Sequence, residues 1–190
     1  MAKYGIGASV LRKEDDRFLH GRGQYVADLR LAGTREVAFV RSPVAHARLR
    51  AVHIPEDVRH VVFTAKDLVG VKPIISSPPL KGFKRSAQPI LATDKVRYVG
   101  ELVAMCLAAT RAEAEDIAGA ISLDFEELPA VTDMLAALEP GAPLVHEEWG
   151  DNVFIEFSED GPVEEIAKTA AIKVTRKIRT SRHCMFPMEG

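Results

Sequence analysis

Residues 102–126, with the sequence LVAMCLAATRAEAEDIAGAISLDFE, decide the fold of this 190-residue chain. Their first eight residues are almost continuously apolar, which is typical of a strand buried at the centre of a sheet. Thr110 is placed to cap the helix that follows, and Glu113 completes a capping box. The pattern therefore predicts a buried strand over 102–109, a helix over 111–120 and a second strand over 122–126, an order that resembles a split β-α-β unit.

Alternating apolar and polar residues on the N-terminal side of this stretch predict further strands. Thr64 is placed to cap a short helix there. A long segment rich in proline and glycine predicts a loop, and loops of this length are usually functional or mobile. The elements predicted before residue 102 are an irregular arm over 1–30 with an extended piece at Tyr25 and Val26, strands over 36–41, 47–54 and 58–63, a helix over 65–69 and a loop over 70–90.

On the C-terminal side of residues 102–126, apolar alternation and capping residues again predict strands and helices. The elements predicted there are a helix over 133–138 capped by Thr132, a link over 139–152, strands over 153–157 and 172–180, and a helix around 162–169. Met185, Phe186 and Met188 are apolar at a position where natural termini are usually polar and frayed. We therefore expect these three side chains to be buried and the native polypeptide to continue beyond Gly190.

Composition excludes several classes of protein. Apolar residues make up 47% of the chain, charged residues make up 27%, and the formal net charge is −2. Such a chain is expected to fold rather than stay disordered, and it lacks the basic excess of a general nucleic-acid binder. It has neither an apolar run of about 18 residues nor the apolar core of a secretory signal. We therefore expect a cytoplasmic protein with no membrane span, in which Cys106 and Cys184 stay reduced.

No motif in the chain predicts a self-contained active site. The two Gly-x-Gly triplets, at 5–7 and 21–23, lack the strand and helix of a phosphate loop, and we interpret them as turns. The six histidines show no metal-ligand spacing, and the chain has no Gly-x-Ser-x-Gly elbow. Cys106 lies in the apolar run and is predicted to be buried and inert. Cys184 lies beside Arg182 and His183, but a structural thiol is favoured over a reactive one.

Charged residues are predicted to lie on the protein surface. Neighbouring carboxylates on a strand point apart, so we expect the four carboxylate pairs to be solvated rather than to share a proton. The arginines at 41, 48 and 50 are predicted to pair with carboxylates of another segment. We therefore assign no catalytic, cofactor-binding or metal-ligating residue to this chain.

Five motifs, spread in order from Arg17 to Glu189, nevertheless resemble the large subunits of molybdenum hydroxylases. This family includes xanthine dehydrogenase, aldehyde oxidase and carbon monoxide dehydrogenase, and the bacterial branch with separate subunits is the most similar. Two departures are Leu102 and Gly190, each at a position where the family usually has proline. The matching stretches are RFLHGRGQYVAD at 17–28, AFVRSPVAHARL at 38–49, VRYVGELVA at 96–104, DFEELPAV at 124–131 and PME at 187–189.

The resemblance implies an α+β fold, in which an α/β hammerhead domain with a mixed or antiparallel sheet leads into the start of a molybdopterin-binding domain. The implied organisation is an N-terminal arm over 1–19, the hammerhead domain over 20–132, and a linker with the beginning of the next domain over 133–190. The implied partners are the remainder of the large subunit, an iron–sulfur subunit and an FAD subunit.

The resemblance also implies the chemistry of the whole enzyme. Its molybdenum centre, carried on molybdopterin cytosine dinucleotide, would hydroxylate a carbon with oxygen from water. No residue here matches a catalytic position of the family, so we expect the chain alone to be inactive and to hold no cofactor. Two other hypotheses remain open: a free-standing binding or assembly module with a hammerhead fold, and a small-molecule binder that uses the loop over 70–90.

Overall fold

The computed structural model describes residues 5–76, 78–157 and 161–181. The α-helices of this part of the chain are α1 (Asp15–Leu19), α2 (Arg111–Gly119) and α3 (Val163–Thr169). Its strands are β1 (Glu36–Arg41), β2 (Ala47–His53), β3 (Val62–Thr64), β4 (Ile74–Ile75), β5 (Ala87–Gln88), β6 (Lys95–Val96), β7 (Leu102–Ala108) and β8 (Ser122–Glu127). None of the described helices is long and apolar enough to cross a membrane.

The chain divides into two compact units. The larger unit comprises residues 35–163 and contains all eight strands together with α2. The described residues on either side of it form the second unit, which contains α1 and nearly all of α3. The elements predicted over residues 102–126 therefore all belong to the larger unit.

The strands of the larger unit form two three-stranded sheets and a short hairpin. Strand β7 lies between β1 and β3, β2 lies between β6 and β8, and β4 pairs with β5. Every one of these pairings is antiparallel. The α+β class is confirmed, with antiparallel sheets. The split β-α-β prediction is wrong, because α2 connects β7 to β8 and these two strands lie in different sheets.

Strand β7 is largely buried, as its apolar run predicts, with Val103, Ala104 and Cys106 fully buried and the other positions partly so. Ala104 and Cys106 pack in one hydrophobic cluster, whereas Val103 packs in a second cluster. Successive side chains of a strand point to opposite faces, so the two clusters lie on the two sides of β7. Val52 of β2 and Leu123 of β8 pack against both clusters. The second sheet and α2 thus cover the first sheet around β7.

Helix α2 begins where the capping box predicts. The Thr110 side chain accepts a hydrogen bond from the Glu113 amide at 3.3 Å, and the Glu113 carboxylate accepts one from the Thr110 amide at 3.2 Å. Arg111 donates to the carbonyl oxygen of Val37 in β1 at 2.9 Å. Ala114 is completely buried against the sheet. The cap and this buried face fix the helix on the first sheet.

Several predicted elements are shorter turns in the structure. Residues predicted as a strand over 58–63 begin as a 3-10 helix, Glu56–Val61, so that only β3 is extended. The helix expected over 65–69 is a 3-10 helix, Ala65–Asp67, and the extended piece at Tyr25 is followed by another, Val26–Asp28. In the 3-10 helices Val26–Asp28 and Ala65–Asp67, an aspartate carboxylate accepts a hydrogen bond from the backbone amide three residues earlier. Such local bonds favour a tight turn over an extended or longer helical segment.

The C-terminal predictions have mixed outcomes. Helix α3 is confirmed. The helix expected over 133–138 is reduced to a 3-10 helix, Ala136–Leu138, where Asp133 rather than Thr132 accepts the amide bonds of Leu135 and Ala136. The strands expected over 153–157 and 172–180 are wrong, since neither segment has a strand partner among the described residues. The predicted burial of Met185, Phe186 and Met188 lies outside the described residues.

Candidate functional site

Two of the five motifs meet at Ser42. The Ser42 amide donates to the carbonyl oxygen of Glu101 at 2.9 Å, and the Gly100 amide donates to the carbonyl oxygen of Ser42 at 2.8 Å. Arg41 donates to the carbonyl oxygen of Gly100 at 2.9 Å. Gly100 has a φ of +90°, a conformation that other residues adopt only with strain. The Arg-Ser-Pro turn and the Gly-Glu turn therefore hold each other in place.

A third motif joins this cluster through His46. The Nδ1 atom of His46 lies 2.8 Å from the carbonyl oxygen of Pro129, and the Leu128 amide donates to the carbonyl oxygen of His46 at 2.8 Å. A carbonyl oxygen only accepts, so Nδ1 carries the proton. His46 is buried, and its Nε2 atom has no hydrogen-bond partner among the described residues. The pairing of β2 with β8 continues from this point, with Ala47 opposite Glu127.

An ion pair between a buried lysine and a half-exposed glutamate lies close to the same turns. The Lys95 side chain is 4% exposed and its Nζ atom lies 2.6 Å from the carboxylate of Glu147. The hydrogen bond from Lys95 lowers the pKa of Glu147 from 4.5 to about 2, with a further contribution from its own backbone amide. A lysine buried in this way requires its partner, because an unpaired charge in the interior is costly. The pair attaches the segment around Glu147 to strand β6.

A cavity of about 200 Å³ opens beside this ion pair. Gln88 donates to the Tyr98 hydroxyl at 3.3 Å on one side of it, and the carboxylate of Glu101 accepts from the Arg97 amide at 2.5 Å on another. The Arg97 Nε atom is buried and has no hydrogen-bond partner in the described part of the chain. The full lining consists of Ser86, Ala87, Gln88, Pro89, Arg97, Tyr98, Glu101 and His146.

Aromatic packing closes the wall that His146 forms. The imidazole of His146 stacks on the Trp149 indole with ring centroids 4.2 Å apart, and it lies 3.2 Å from the carboxylate of Glu148. The pKa of Glu148 is lowered, mainly by its own backbone amide. Trp149 donates from its indole nitrogen to the carbonyl oxygen of Arg85 at 3.3 Å. These contacts hold the segment over 146–149 against the loop that precedes β5.

The structure confirms two predictions about individual residues. Cys106 is completely buried, and burial raises the pKa of its thiol, as expected of an inert cysteine. Arg50 of β2 forms a salt bridge with Glu126 of β8, as expected, whereas Arg41, which is also predicted to have a carboxylate partner, donates to the carbonyl oxygen of Gly100. Cys184, together with Arg182 and His183, lies outside the described residues. Within residues 5–76, 78–157 and 161–181, no three His, Cys, Asp or Glu side chains are placed to hold a metal ion.

Sequence reasoning missed the Lys95–Glu147 pair and the Arg97 cavity. The two members of the pair are 52 residues apart, and neither stands in a pattern that indicates the other. The cavity likewise combines three separate segments. In contrast, the motifs over 38–49, 96–104 and 124–131 carry a signal, and the structure brings all three into direct contact. The polar groups of these motifs bond to other parts of the same unit and so stabilise its fold.

Comparison with known proteins finds a family that matches more than half of the chain. Residues 20–129 match the family described as aldehyde oxidase and xanthine dehydrogenase, a/b hammerhead domain. The chain is 34% identical over 193 residues to the nicotine 6-hydroxylase large subunit of Paenarthrobacter nicotinovorans, covering 97% of this chain and 23% of that protein. It is 30% identical over 202 residues to the carbon monoxide dehydrogenase large chain of Hydrogenophaga pseudoflava, covering 98% of this chain and 24% of that protein.

Solved structures show the same relationship. Quinoline 2-oxidoreductase from Pseudomonas putida 86 matches with a TM-score of 0.79 and 39% identity, over 87% of this chain and 22% of that one. The Cu,Mo-CO dehydrogenase in its carbon monoxide reduced state matches with a TM-score of 0.66 and 33% identity, over 79% of this chain and 19% of that one. The chain thus spans between about a fifth and a quarter of the length of these four relatives.

Proposed function

Because the chain belongs to the aldehyde oxidase and xanthine dehydrogenase a/b hammerhead domain family, we propose that it is the N-terminal structural portion of the large subunit of a molybdenum-dependent hydroxylase. In this role it builds the hammerhead domain and the beginning of the molybdopterin-binding domain. The proposed boundaries are an arm over 1–19, the hammerhead domain over 20–132 and the following region over 133–190.

One observation carries this proposal: the chain aligns over nearly its whole length with about a quarter of each large subunit. The contacts within the chain support a structural role. The hydrogen bonds of three motif residues join them to backbone groups of the same unit. These residues are Ser42, His46 and Gly100. Motifs shared with an enzyme family would here serve to connect two sheets rather than to contact a substrate.

The proposed enzyme carries molybdopterin cytosine dinucleotide and works with an iron–sulfur subunit and an FAD subunit in the cytoplasm. Relatives whose names mention the cofactor include a xanthine dehydrogenase molybdenum-binding subunit and a nicotinate dehydrogenase large molybdopterin subunit. The described residues offer no donor set of three or more His, Cys, Asp or Glu that fits a metal. We therefore assign no step of the reaction to these residues.

The test compares two products of the same gene. The 190-residue chain and the longest polypeptide that its native locus encodes are each purified with any co-purifying subunits. Metal content is measured by mass spectrometry, and dye reduction is measured with carbon monoxide, purines, aldehydes and N-heterocycles. We expect molybdenum and activity only in the longer polypeptide.

Two outcomes would contradict the proposal. Molybdenum-dependent dye reduction by the 190-residue chain would show that it is not merely a structural portion. A locus that encodes only these 190 residues, with a monodisperse folded product, would favour the free-standing module instead.

A further inference from the structure

The cavity beside the Lys95–Glu147 pair contains hydrogen-bond donors without acceptors. Arg97 lines this cavity together with residues of the loop over 70–90. Its Nε atom is buried, and no nitrogen of its side chain takes part in a hydrogen bond or ion pair among the described residues. A buried donor without an acceptor costs free energy, so a ligand that supplies an acceptor is favoured here.

The same cavity contains an acceptor with unused capacity. Glu101 is 5% exposed, and its Oε2 atom accepts a hydrogen bond from the Arg97 amide at 2.5 Å. Its Oε1 atom has no hydrogen-bond partner in the part of the chain that the structure describes. An ionised carboxylate has about four sites that can accept a hydrogen bond. A molecule that both donates and accepts can therefore satisfy Glu101 and Arg97 together.

The remaining walls set the size and shape of such a molecule. The Tyr98 hydroxyl accepts from Gln88 at 3.3 Å, which leaves its own proton free to be donated. Ala87 and Pro89 add apolar surface. The cavity volume is about 200 Å³, and an engineered cavity of about 150 Å³ is enough for benzene. The space therefore suits a single ring with one small polar substituent.

The charges around the cavity disfavour an anion. The charge of Arg97 acts on Glu147 and Glu148, and Lys95 is bound to Glu147. Together with Glu101, these carboxylates outnumber the two cations by three to two. An anionic ligand would be repelled by this excess of negative charge, whereas a neutral ligand would not.

We propose that this cavity binds a small neutral carboxamide carried on a single ring. Its carbonyl oxygen would accept from Arg97 and Tyr98, and its N–H would donate to Glu101. An amide group holds an acceptor and a donor side by side, as these three residues require. A carboxylate of the same shape has no proton for Glu101 and adds a negative charge. The ring would lie against Ala87 and Pro89.

Benzamide and benzoate, which have the same shape, test this site in the 190-residue chain. Calorimetric titration at pH 7.5 measures both affinities. The fluorescence of Trp149 reports where they bind, because this single tryptophan stacks on His146 in the cavity wall. We expect saturable binding of benzamide and at least about 10-fold weaker binding of benzoate. No saturable binding of benzamide up to its solubility, or equal affinities, would overturn the proposal.

Variants of the two polar residues test the orientation. Arg97→Met should weaken benzamide binding about 10-fold or more, whereas Arg35→Met, at an exposed arginine outside the cavity, is the matched control and should not. Glu101→Gln keeps an acceptor for the Arg97 amide but places a donor where Oε1 was, so it should remove the preference for benzamide.

Unchanged benzamide affinity in Arg97→Met, or an unchanged preference in Glu101→Gln, would overturn the proposal. Circular dichroism verifies that each variant is folded. The comparison of benzamide with benzoate uses the unmodified chain, so it decides the question even if a variant does not fold.

The longest polypeptide that the locus encodes distinguishes a small molecule from an amide group of the protein itself. Benzamide binding in both polypeptides would support the proposal. Binding in the 190-residue chain alone would mean that the remainder of the subunit fills the cavity, and it would overturn the small-molecule site. These outcomes do not depend on molybdenum content or dye reduction, which test the proposed function separately.

Discussion

Residues 102–109 and residues 172–180 both carry a clear strand pattern, yet only the first stretch contains a strand, β7. In β7, Cys106 lies opposite both Ala38 of β1 and Val62 of β3, and the positions from Ala104 to Cys106 have strand neighbours on two sides. The segment over 172–180 has no such neighbours among the described residues. Alternation and apolar content prepare a segment to become a strand, but the partner's hydrogen bonds and the burial that follows complete it.

The largest expected contrast comes from placing a charge in each region. Val103→Asp buries an unpaired carboxylate at a position with 0% exposure and should destabilise the larger unit by about 3–5 kcal/mol. Val174→Asp, at a position that is 73% exposed, should change stability by less than about 0.5 kcal/mol. Urea unfolding followed by the fluorescence of Trp149, the single tryptophan, measures both. Similar losses in the two variants would mean that 172–180 is packed in solution.

A smaller contrast is expected from breaking ion pairs. Glu147→Gln leaves the buried Lys95 without its counterion and should cost about 1–3 kcal/mol, as for a buried donor that loses its acceptor. Glu165→Gln breaks the exposed pair with Lys168 and should cost less than about 0.5 kcal/mol. Thermal unfolding followed by circular dichroism compares the two variants. A loss that is no larger for Glu147→Gln than for Glu165→Gln would refute the structural role of the Lys95–Glu147 pair.

The helix cap provides a third comparison. Thr110→Ala removes the side-chain acceptor at the start of α2 and should cost about 1 kcal/mol. Thr175→Ala, in the unpaired segment, is the control and should have almost no effect. Thr110→Ser, which keeps the hydroxyl, should recover most of the stability. If the serine variant were as unstable as the alanine variant, the capping bond would not be the cause.

Acid should weaken the larger unit while leaving the unpaired segment unchanged. The folded pKa values of Asp67 and Glu147 are about 2, below their ordinary values of 3.8 and 4.5, because Asp67 accepts bonds from Thr64 and Arg59 and Glu147 accepts one from Lys95. Their unfolded forms therefore bind protons first, and the stability they contribute above about pH 4.5 is lost as the pH falls towards 2.

Urea unfolding between pH 6 and pH 2.5 measures this loss of stability. Lys95→Met should reduce the slope of stability against pH, since Glu147 then titrates near its ordinary value. Amide exchange over 172–180, corrected for the intrinsic pH dependence, should stay unprotected throughout, because that segment contains no carboxylate. An unchanged slope in Lys95→Met would show that Glu147 does not contribute through this pair.

Sequence reasoning succeeded where the signal is local. The cap at Thr110 and the buried run through Cys106 each depend on residues within a few positions of one another. It failed where a local side-chain bond overrides the apolar pattern: the carboxylates of Asp28 and Asp67 each accept a bond from the amide three residues earlier, and 3-10 helices replace the expected extended or longer helical segments. It also failed where the partner is distant, as in the Lys95–Glu147 pair of the candidate site, whose members are 52 residues apart.

The sequence by itself determined the family and the elements β1, β2, β7, α2 and β8, because apolar periodicity, capping residues and ordered motifs are properties of the chain alone. Only the tertiary structure decided that β7 and β8 lie in different sheets, and that Ser42, His46 and Gly100 connect three motifs through backbone bonds. The physical reason is that a strand or a buried charge is stabilised by the group opposite it. That group is chosen by the packing of distant segments, which no local pattern specifies.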